Sequence, residues 1–359
     1  MHADTVQRIV DEGADINVRL SDGHLDAVRA REGGLNAQFF SIWVEPQFFG
    51  TGGRAAVERA DVQIAAVRAL TEEHPEIWSL AGSAQDIRRA ASEEKIAALM
   101  GLEGGYAIDE RIESVEKYFR LGVRYLSPAW SVSLSWAGSS GDEIGAARGL
   151  NDFGREVIKE MNRLGVMPDV SHVSDKTFWD MIETSTKPVI ASHSNARALV
   201  DVPRNLTDDQ IRALAATGGV CSVVFYPRFV ETSWRDAQRR VDAEIAAASD
   251  EAERNTQGTP SQKKLARERV RGAEYARRIR PVPASRVVDH IDHIARLVGV
   301  KHIGVGSDFD GINATPADLS SVADYPHLTR ELMRRGYTSD DVEKILGGNI
   351  LRVMEETQK

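Results

Sequence analysis

The residues of this chain best suited to chemistry are histidines and carboxylates that stand where short apolar runs end. Five such runs end in one or two of them: His24 with Asp26, Glu103, His172, His193 and Asp308. Imidazole and carboxylate groups are common ligands of divalent transition metals. On extended backbone, side chains two positions apart point the same way, so His24 and Asp26 could hold one ion. His172 and His193, on neighbouring runs, could hold a second.

Glu103 has two carboxylate oxygens and could bridge both ions, because its run lies between those of the two pairs. Two ions about 3.5–4 Å apart can share a water molecule, lower its pKa and stabilise a developing oxyanion. This donor set suits zinc best, with manganese and iron as alternatives. A single histidine or a lone His-x-Asp is more often a packing or incidental feature than a ligand. Because the same residue types recur at five run ends, the sequence predicts a two-metal site.

Eight short strands are predicted to position these residues. Segments with helical spacing of apolar residues separate most of the strands, as at residues 112–121, 153–164, 208–216 and 286–298. Eight strands that alternate with helices indicate an α/β fold, a (β/α)8 barrel of TIM type. In such barrels the active-site residues gather at the carboxyl ends of the strands. We predict one barrel domain over residues 1–359, with strands at residues 16–24, 37–44, 95–103, 123–129, 165–172, 188–193, 218–226 and 302–308.

Residues 227–283 are predicted to form a charged helical insertion between strands 7 and 8 of this barrel. The segment is rich in Arg, Glu, Ala and Gln, and a Gly/Thr/Pro/Ser break at residues 257–261 divides it. Charge-rich helices of this kind are usually solvated surface. Because the insertion follows a strand on the active-site face, a lid or an oligomer contact stays open as the alternative.

The composition narrows the class of partner. The chain of 359 residues carries a net charge of −9, so it has no bulk attraction for nucleic acid or for an anionic membrane surface. Residues 1–18 contain no uninterrupted apolar core typical of a signal peptide, and no later run approaches the ~20 apolar residues of a membrane span. We therefore expect a cytoplasmic protein with no membrane partner, and a homodimer is compatible with the sequence.

Nucleophilic serine or cysteine catalysis has little support in the sequence. No Gly-x-Ser-x-Gly motif occurs, and Cys221, the one cysteine, lies within a predicted apolar strand. His290 and His293 are three apart on a predicted helix of the outer layer. For these two residues a surface or packing role is the better interpretation.

A set of motifs along nearly the whole chain, the charged insertion excepted, resembles the renal (membrane) dipeptidase family. The resemblance lies in Asp22-Gly23-His24-Leu25-Asp26, Gly33-Gly34-Leu35-Asn36-Ala37-Gln38-Phe39-Phe40-Ser41, Gly101-Leu102-Glu103-Gly104-Gly105, Leu121-Gly122-Val123-Arg124-Tyr125-Leu126, Asp169-Val170-Ser171-His172-Val173-Ser174, Ser192-His193-Ser194, Gly306-Ser307-Asp308-Phe309-Asp310-Gly311 and Gly347-Gly348-Asn349-Ile350-Leu351-Arg352-Val353.

The resemblance implies a barrel of the amidohydrolase superfamily with two zinc ions. It assigns His24 and Asp26 to one ion, His172 and His193 to the other, and Glu103 to the bridging position. By the same resemblance three further residues act on the substrate. They are Asp308 as the acid/base residue that handles the proton of the bridging hydroxide, Arg204 as the site for the substrate's C-terminal carboxylate, and Tyr226 as an aromatic side chain lining the site.

One departure from the family pattern concerns the substrate. Many members carry a histidine after strand 4, where this chain reads Leu126-Ser127-Pro128-Ala129-Trp130. Trp130 can donate one hydrogen bond but cannot carry a proton or a positive charge. We expect a zinc-dependent dipeptidase acting on small peptides, some with a D-residue at the C-terminal side. The alternatives are an amidohydrolase of N-acyl amino acids or a biosynthetic intermediate, and a non-catalytic binding protein on the same barrel.

Overall fold

The strands of the protein are parallel and short. The computed structural model describes residues 1–48 and 53–359, and within these ranges it has two parallel sheets. One sheet has the order β1-β3-β4-β5, with β2 paired to the first half of β3, and the other has the order β6-β7-β8. The strands are β1 (Ala37–Trp43), β2 (Trp78–Leu80), β3 (Ile96–Glu103), β4 (Val123–Ser127), β5 (Met167–Pro168), β6 (Ile190–Ala191), β7 (Val220–Val223) and β8 (Ile303–Val305).

Single bridges connect the two sheets into a ring. Asp169 pairs with Ile190, which joins the end of β5 to β6. On the other side Ala3 pairs with both Phe40 of β1 and Phe309, which follows β8. Residues 1–4 therefore take the place of the first barrel strand, between β8 and β1. Within the described residues the order around the ring is residues 1–4, β1, β3, β4, β5, β6, β7 and β8.

Helices follow most strands and cover the ring from outside. The α-helices are α1 (Thr5–Gln7), α2 (Ala27–Glu32), α3 (Arg54–Glu73), α4 (Ala84–Ser92), α5 (Glu113–Leu121), α6 (Asp152–Leu164), α7 (Asp175–Thr184), α8 (Asp208–Ala216), α9 (Pro227–Val230), α10 (Thr232–Asn255), α11 (Pro260–Arg278), α12 (Ala284–Val298), α13 (Tyr325–Arg334), α14 (Ser339–Glu343) and α15 (Asn349–Thr357). Short 3₁₀ or π turns cover Arg8–Glu12, Pro46–Phe48, Gly105–Ile108, Gly145–Ala147, Val300–His302, Val322–Asp324 and Lys344–Gly348.

The sequence explains both the central strand and the helix boundaries. Every residue of β3 is buried, as expected for a strand that is covered on both faces. Ser174 begins α7 by accepting a hydrogen bond from the Thr177 N–H, and Thr207 begins α8 with a capping box. The α/β barrel class predicted from the strand count is confirmed by the structural relatives reported below.

The predicted first strand at residues 16–24 is wrong. This segment forms turns, because side-chain oxygens of Asp15 and Asp26 accept the backbone N–H groups of Asn17 and Leu20. Such local bonds compete with ladder pairing. Gly23 adds a left-handed residue, with φ of 68°. The sequence prediction also missed β2 (Trp78–Leu80), which is only three residues long.

The charged insertion consists mainly of two antiparallel helices that lie over the carboxyl ends of the strands. Helix α11 contacts three loops at this end: Ser261 donates to Glu45 Oε1 at 2.9 Å, Gln262 donates to the Asp11 carbonyl, and Glu268 accepts from the Asn313 side chain at 2.7 Å. Helix α10 is fixed by Gln238, which donates to the Tyr226 hydroxyl at 3.0 Å. The pair therefore covers the same face of the barrel to which the active-site residues were assigned.

Candidate metal centre

The carboxylate of Glu103 stands between two groups of metal-binding side chains. Its Oε1 lies 2.9 Å from His172 Nε2 and 3.6 Å from His193 Nε2. Its Oε2 lies 3.3 Å from His2 Nε2 and accepts a hydrogen bond from Ser41 Oγ at 2.7 Å. The two oxygens of one carboxylate thus face different histidines. This is the arrangement that a bridging ligand requires.

The first group consists of His172 and His193, which follow β5 and β6. Their Nε2 atoms are 2.9 Å apart. Ser192 Oγ donates to Asp169 Oδ2 at 2.6 Å and lies 2.8 Å from His193 Nδ1. Because the serine proton is directed to Asp169, Nδ1 of His193 is the donor of the second contact. The lone pair of His193 is then on Nε2, directed at Glu103 and His172, as in metal sites where an outer partner fixes the tautomer.

The second group consists of His2 and Asp4, on either side of Ala3, the residue that forms the β-bridges to Phe40 and Phe309. His2 Nε2 lies 3.4 Å from Asp4 Oδ2, and the two residues sit two positions apart on extended backbone. The other ring nitrogen, His2 Nδ1, lies 2.7 Å from the Tyr125 hydroxyl. Tyr125 crosses β3 at Gly101, where a Cβ would lie 1.9 Å from Tyr125 Cζ. Glycine at position 101 therefore makes room for the tyrosine that orients His2.

His24 and Asp26, predicted as ligands of the first ion, are not part of this cluster. Asp26 caps α2: its carboxylate accepts from the Arg29 N–H at 2.8 Å and from Arg29 Nε at 2.6 Å. His24 Nδ1 accepts from the Asp310 N–H at 2.8 Å, and its ring packs against Phe309. The prediction is corrected because the acceptor atoms of Asp26 and Nδ1 of His24 are engaged by the backbone and by Arg29. His2 and Asp4 occupy the place assigned to the pair.

The sequence does contain a signal for the pair that the structure places beside Glu103. His2-Ala3-Asp4 has the same His-x-Asp spacing as His24-Leu25-Asp26. The segment was missed because residues 1–4 join the ring through single bridges at Ala3, which is too short for strand periodicity to reveal. Asp308 lies beside this pair, with Oδ1 3.9 Å from His2 Nε2, and groups with His2 and His193 as potential ligands.

The electrostatics of the cluster favour added positive charge. Burial, and then the charge of Asp4, raise the pKa of Asp308 well above its usual range. Burial also raises the pKa of Asp4, and the Glu103 charge adds to the shift. Burial lowers the pKa of His172 to about 4 and that of His193 well below its usual value, so both imidazoles are neutral and can act as ligands. Three carboxylates buried together are costly unless cations compensate them.

The donor set fits a pair of divalent transition metals. His2 Nε2 is buried and, among the described residues, has no hydrogen-bond partner, although it stands close to carboxylate oxygens. Although burial lowers its pKa, Glu103 and Asp4 raise it overall, so the field at this ring favours positive charge. Two clusters of three donors, His2 with Asp4 and Glu103, and Glu103 with His172 and His193, each have their ligand atoms within 4.8 Å of one another.

Two of these residues have unusual backbone. His172 and Asp308 adopt positive φ angles of 73° and 64°. This region costs a non-glycine residue roughly 1–2 kcal/mol. At His172 the turn is held by Ser140, whose N–H and Oγ both donate to the His172 carbonyl, at 2.8 and 3.0 Å. Such strain is common at active sites, where the surrounding structure holds a side chain in place.

Arg204 places its guanidinium beside the first histidine group. Its NH2 donates to the His193 carbonyl at 3.2 Å and its NH1 to Ser194 Oγ at 3.4 Å. Among the residues that the structure describes, no carboxylate lies within 4 Å of this guanidinium. Burial lowers its pKa, while Asp308 and Glu103 act in the opposite direction. A partly buried cation that no described carboxylate pairs with suits the binding of an anionic substrate group.

Trp130 and Tyr226 differ in their relation to the histidine cluster. Trp130 lies next to the cluster, with its ring centroid 6.0 Å from that of His172 and 4.9 Å from that of Trp43. Tyr226 follows β7, and its hydroxyl donates to Asn313 Oδ1 at 3.1 Å and accepts from Gln238. Its polar atom therefore holds the insertion in place, and no ring contact joins it to the histidines in the described part of the chain.

The parallel strands place the carboxylate of Glu103 between two groups of candidate metal ligands. The family model of the membrane dipeptidases, peptidase family M19, matches residues 1–359. The chain belongs to this family.

Relatives of known sequence and structure agree with this assignment. Dipeptidase 3 of Rattus norvegicus is 32% identical over 350 residues, which cover 96% of this chain and 61% of that protein, and Dipeptidase 3 of Mus musculus is 31% identical. The chain thus spans about 61% of the length of these curated relatives. The structure of the probable dipeptidase PvdM from Pseudomonas aeruginosa has a TM-score of 0.80 and 27% identity, covering 95% of this chain and 90% of that one.

A metallo peptidase from Rhodobacter sphaeroides, solved with a phosphinate mimic of the dipeptide L-Ala-D-Ala, has the same fold. The TM-score is 0.79 at 24% identity, covering 99% of this chain and 97% of that one.

The predicted cytoplasmic location is wrong, because the family to which the chain belongs is that of the membrane dipeptidases. Within the described residues, no helix is long and apolar enough to cross a membrane.

Proposed function

We propose that the chain is a dipeptidase that hydrolyses the amide bond of small dipeptides with two zinc ions. The observation that carries the proposal is the position of Glu103, whose Oε1 faces His172 and His193 and whose Oε2 faces His2. One ion would be held by His2, Asp4 and Glu103. The other would be held by Glu103, His172 and His193, with zinc preferred because neutral imidazole and carboxylate are its usual ligands.

The residues around the ions have separate roles in this proposal. Bound zinc supplies Lewis acidity, which makes a nucleophile available at neutral pH and stabilises developing negative charge. Asp308 takes the proton of the attacking water on its carboxylate and returns it to the nitrogen of the breaking C–N bond. The leaving group is then a neutral amine. The pKa of Asp308 is raised by burial and by Asp4, which is consistent with a carboxylate that accepts this proton.

Arg204 anchors the C-terminal carboxylate of the dipeptide. The guanidinium stands beside His193 and has no carboxylate partner of its own in the described structure, so a substrate carboxylate can complete it. We extend the proposal to dipeptides with a D-residue at the C-terminal side. The support is the Rhodobacter sphaeroides peptidase of the same fold, which was solved with a mimic of L-Ala-D-Ala.

A dipeptide panel with metal-loaded and chelator-treated protein tests the proposal. Cleavage of dipeptides with a free amine and a free carboxylate, lost with chelator and restored by Zn²⁺, is the expected result. N-acyl amino acids in the same panel test the second candidate, an amidohydrolase that shares the need for a carboxylate at Arg204 but not for a free amine. Absence of metal-dependent cleavage across the whole panel would contradict both.

A further inference from the structure

The inserted helix pair brings a second cation to the site, and no carboxylate of the described residues pairs with it. Lys264 of α11 lies with its ammonium 4.2 Å from the ring centroid of Trp43 and 5.7 Å from that of Trp130. Trp43 is the last residue of β1 and is in register with Glu103 on β3. Trp130 in turn packs beside His172. An ammonium held against these two indoles therefore stands at the edge of the metal centre.

Lys264 forms no close ion pair with the described residues. Burial lowers its pKa, although the charges of Glu45 and Glu268, and of Asp4 within the cluster, act in the opposite direction. None of these carboxylates, nor any other in the described residues, comes within 4 Å of its ammonium. Glu45 and Glu268 are instead committed elsewhere, to Arg59 with Ser261 and to Asn313 with Arg271. Contact with aromatic faces stabilises a cation by only about 0.5–2 kcal/mol and leaves its N–H donors free.

A second unpaired donor lies at the same place. The indole Nε1 of Trp43 is buried and, in the part of the chain described, has no hydrogen-bond partner. An ammonium and a buried N–H on the same indole together can accept an anionic group.

The two cations flank the metal centre from opposite sides. Arg204 contacts His193, which follows β6, whereas Lys264 contacts Trp43, which ends β1. In the ring of eight, counted from residues 1–4, β1 is the second member and β6 the sixth, so they face each other across the barrel. If a dipeptide has its C-terminal carboxylate on Arg204 and its amide bond at the cluster, its N-terminal residue would lie on the side of the ring where Lys264 stands.

We propose that Lys264 is a specificity residue that selects dipeptides whose N-terminal residue has an acidic side chain, aspartate or glutamate. This inference rests on the proposed function, because it assumes that the amide bond of a dipeptide lies at the metal centre. It assigns to the insertion a direct part in substrate choice. It also gives Trp130 a physical role as part of the aromatic support for the Lys264 ammonium.

Kinetics on isosteric substrate pairs test this assignment. Glu-Ala is compared with Gln-Ala, and Ala-Glu with Ala-Gln, on the zinc-loaded full chain. For the wild type, kcat/KM should be about ten- to a hundredfold higher for Glu-Ala than for Gln-Ala, the range of a charge-assisted hydrogen bond. Lys264→Met should remove this ratio, Lys264→Arg should retain part of it, and Ala-Glu against Ala-Gln should not depend on Lys264.

The matched control is Lys159→Met, which removes the same charge from an exposed position on α6 and should leave all four rates unchanged. Binding of inert phosphinate mimics of Glu-Ala and Gln-Ala, measured by calorimetry, gives a second readout that does not need turnover. Equal rates on Glu-Ala and Gln-Ala, or a ratio that survives Lys264→Met, would overturn the assignment and leave the dipeptidase proposal standing. Failure to cleave any of the four dipeptides would overturn both.

Discussion

His2 and Glu103 come within 3.3 Å of each other through their Nε2 and Oε2 atoms, although about a quarter of the chain separates them in sequence. The contact exists because Ala3 bridges to Phe40 of β1, and β1 in turn pairs with β3 along its full length. Residues 1–4 are thereby fixed as a barrel strand. The ligand group at the start of the chain depends on this strand, whereas His172 and His193 depend on β5 and β6.

The first prediction separates His2 from His24. The zinc-replete protein should bind close to two transition-metal ions per chain, and His2→Ala should lose mainly one of them, because this ring faces Glu103 and Asp4. His24→Ala is the matched control and should retain both, since its Nδ1 is engaged by the Asp310 N–H. Elemental analysis after gel filtration gives the stoichiometry. A variant without His24 that lost an ion while the His2 variant kept both would reverse the assignment.

The second prediction is that Asp26 stabilises the fold and does not bind a metal ion. Its buried carboxylate accepts from the Leu20 and Arg29 N–H groups and from the Arg29 guanidinium, so Asp26→Ala should destabilise the fold by about 1–3 kcal/mol. Metal content should be unchanged. Denaturant unfolding, carried out on metal-free and on metal-loaded protein, measures the difference in the free energy of unfolding between the wild type and Asp26→Ala.

The stability that the Asp26 carboxylate contributes depends on pH in a definite direction. Burial acts to raise the pKa of Asp26, but the hydrogen bonds from Arg29 and Leu20 lower it overall from its ordinary value of 3.8. The folded state therefore holds this proton less tightly than the unfolded state. The stabilisation is complete above the ordinary value and is lost as the pH falls below it. If the difference in the free energy of unfolding between the wild type and Asp26→Asn became larger on acidification, this role of Asp26 would be contradicted.

The sequence allowed the barrel to be predicted, and with it the meeting of Glu103, His172 and His193, because apolar runs that alternate with amphipathic helices leave a signal in the sequence. Residues 96–103 form a fully buried strand that ends at Glu103, and His172 and His193 follow apolar runs as expected. The other half of the site could not be read from periodicity. Residues 1–4 pair only at Ala3, while the apolar run at residues 16–24 folds into turns through hydrogen bonds to Asp15 and Asp26.

Lys264 also escaped prediction from sequence, for a different reason. It lies in a charged helix whose composition is typical of solvated surface, and its neighbours in sequence include several other cations. Only the path of α11 across the loops that contain Asp11, Glu45 and Asn313 brings this one side chain onto Trp43. A contact between an insertion and the barrel is a tertiary property, and local sequence does not encode which residue makes it.

The third prediction separates holding the metals from moving the proton. Asp308→Asn should retain both ions, since His2, Asp4, Glu103, His172 and His193 remain, yet kcat should fall by about 10²–10⁴. The amide of asparagine cannot accept the proton of the attacking water. Steady-state kinetics and elemental analysis on the same preparation test both halves of this statement. A variant with full metal and most of its kcat would move the proton-transfer role to another group.

The last prediction concerns Arg204 and the substrate's carboxylate. A dipeptide should be cleaved better than its C-terminal amide by about one to two decades in kcat/KM, because a charge-assisted pair contributes roughly 1.5–3 kcal/mol. Arg204→Met should lower the rate on the free acid and narrow its advantage over the amide. Arg197→Met is the matched control: this guanidinium already pairs with both oxygens of Asp175 at 2.7 and 2.8 Å. It should not change the ratio of kcat/KM on the free acid to kcat/KM on the amide.

If Arg204→Met left that ratio unchanged, the contacts of Arg204 with the His193 carbonyl and Ser194 would make it a structural residue. The carboxylate would then have to be bound elsewhere, with the metal ligands unaffected.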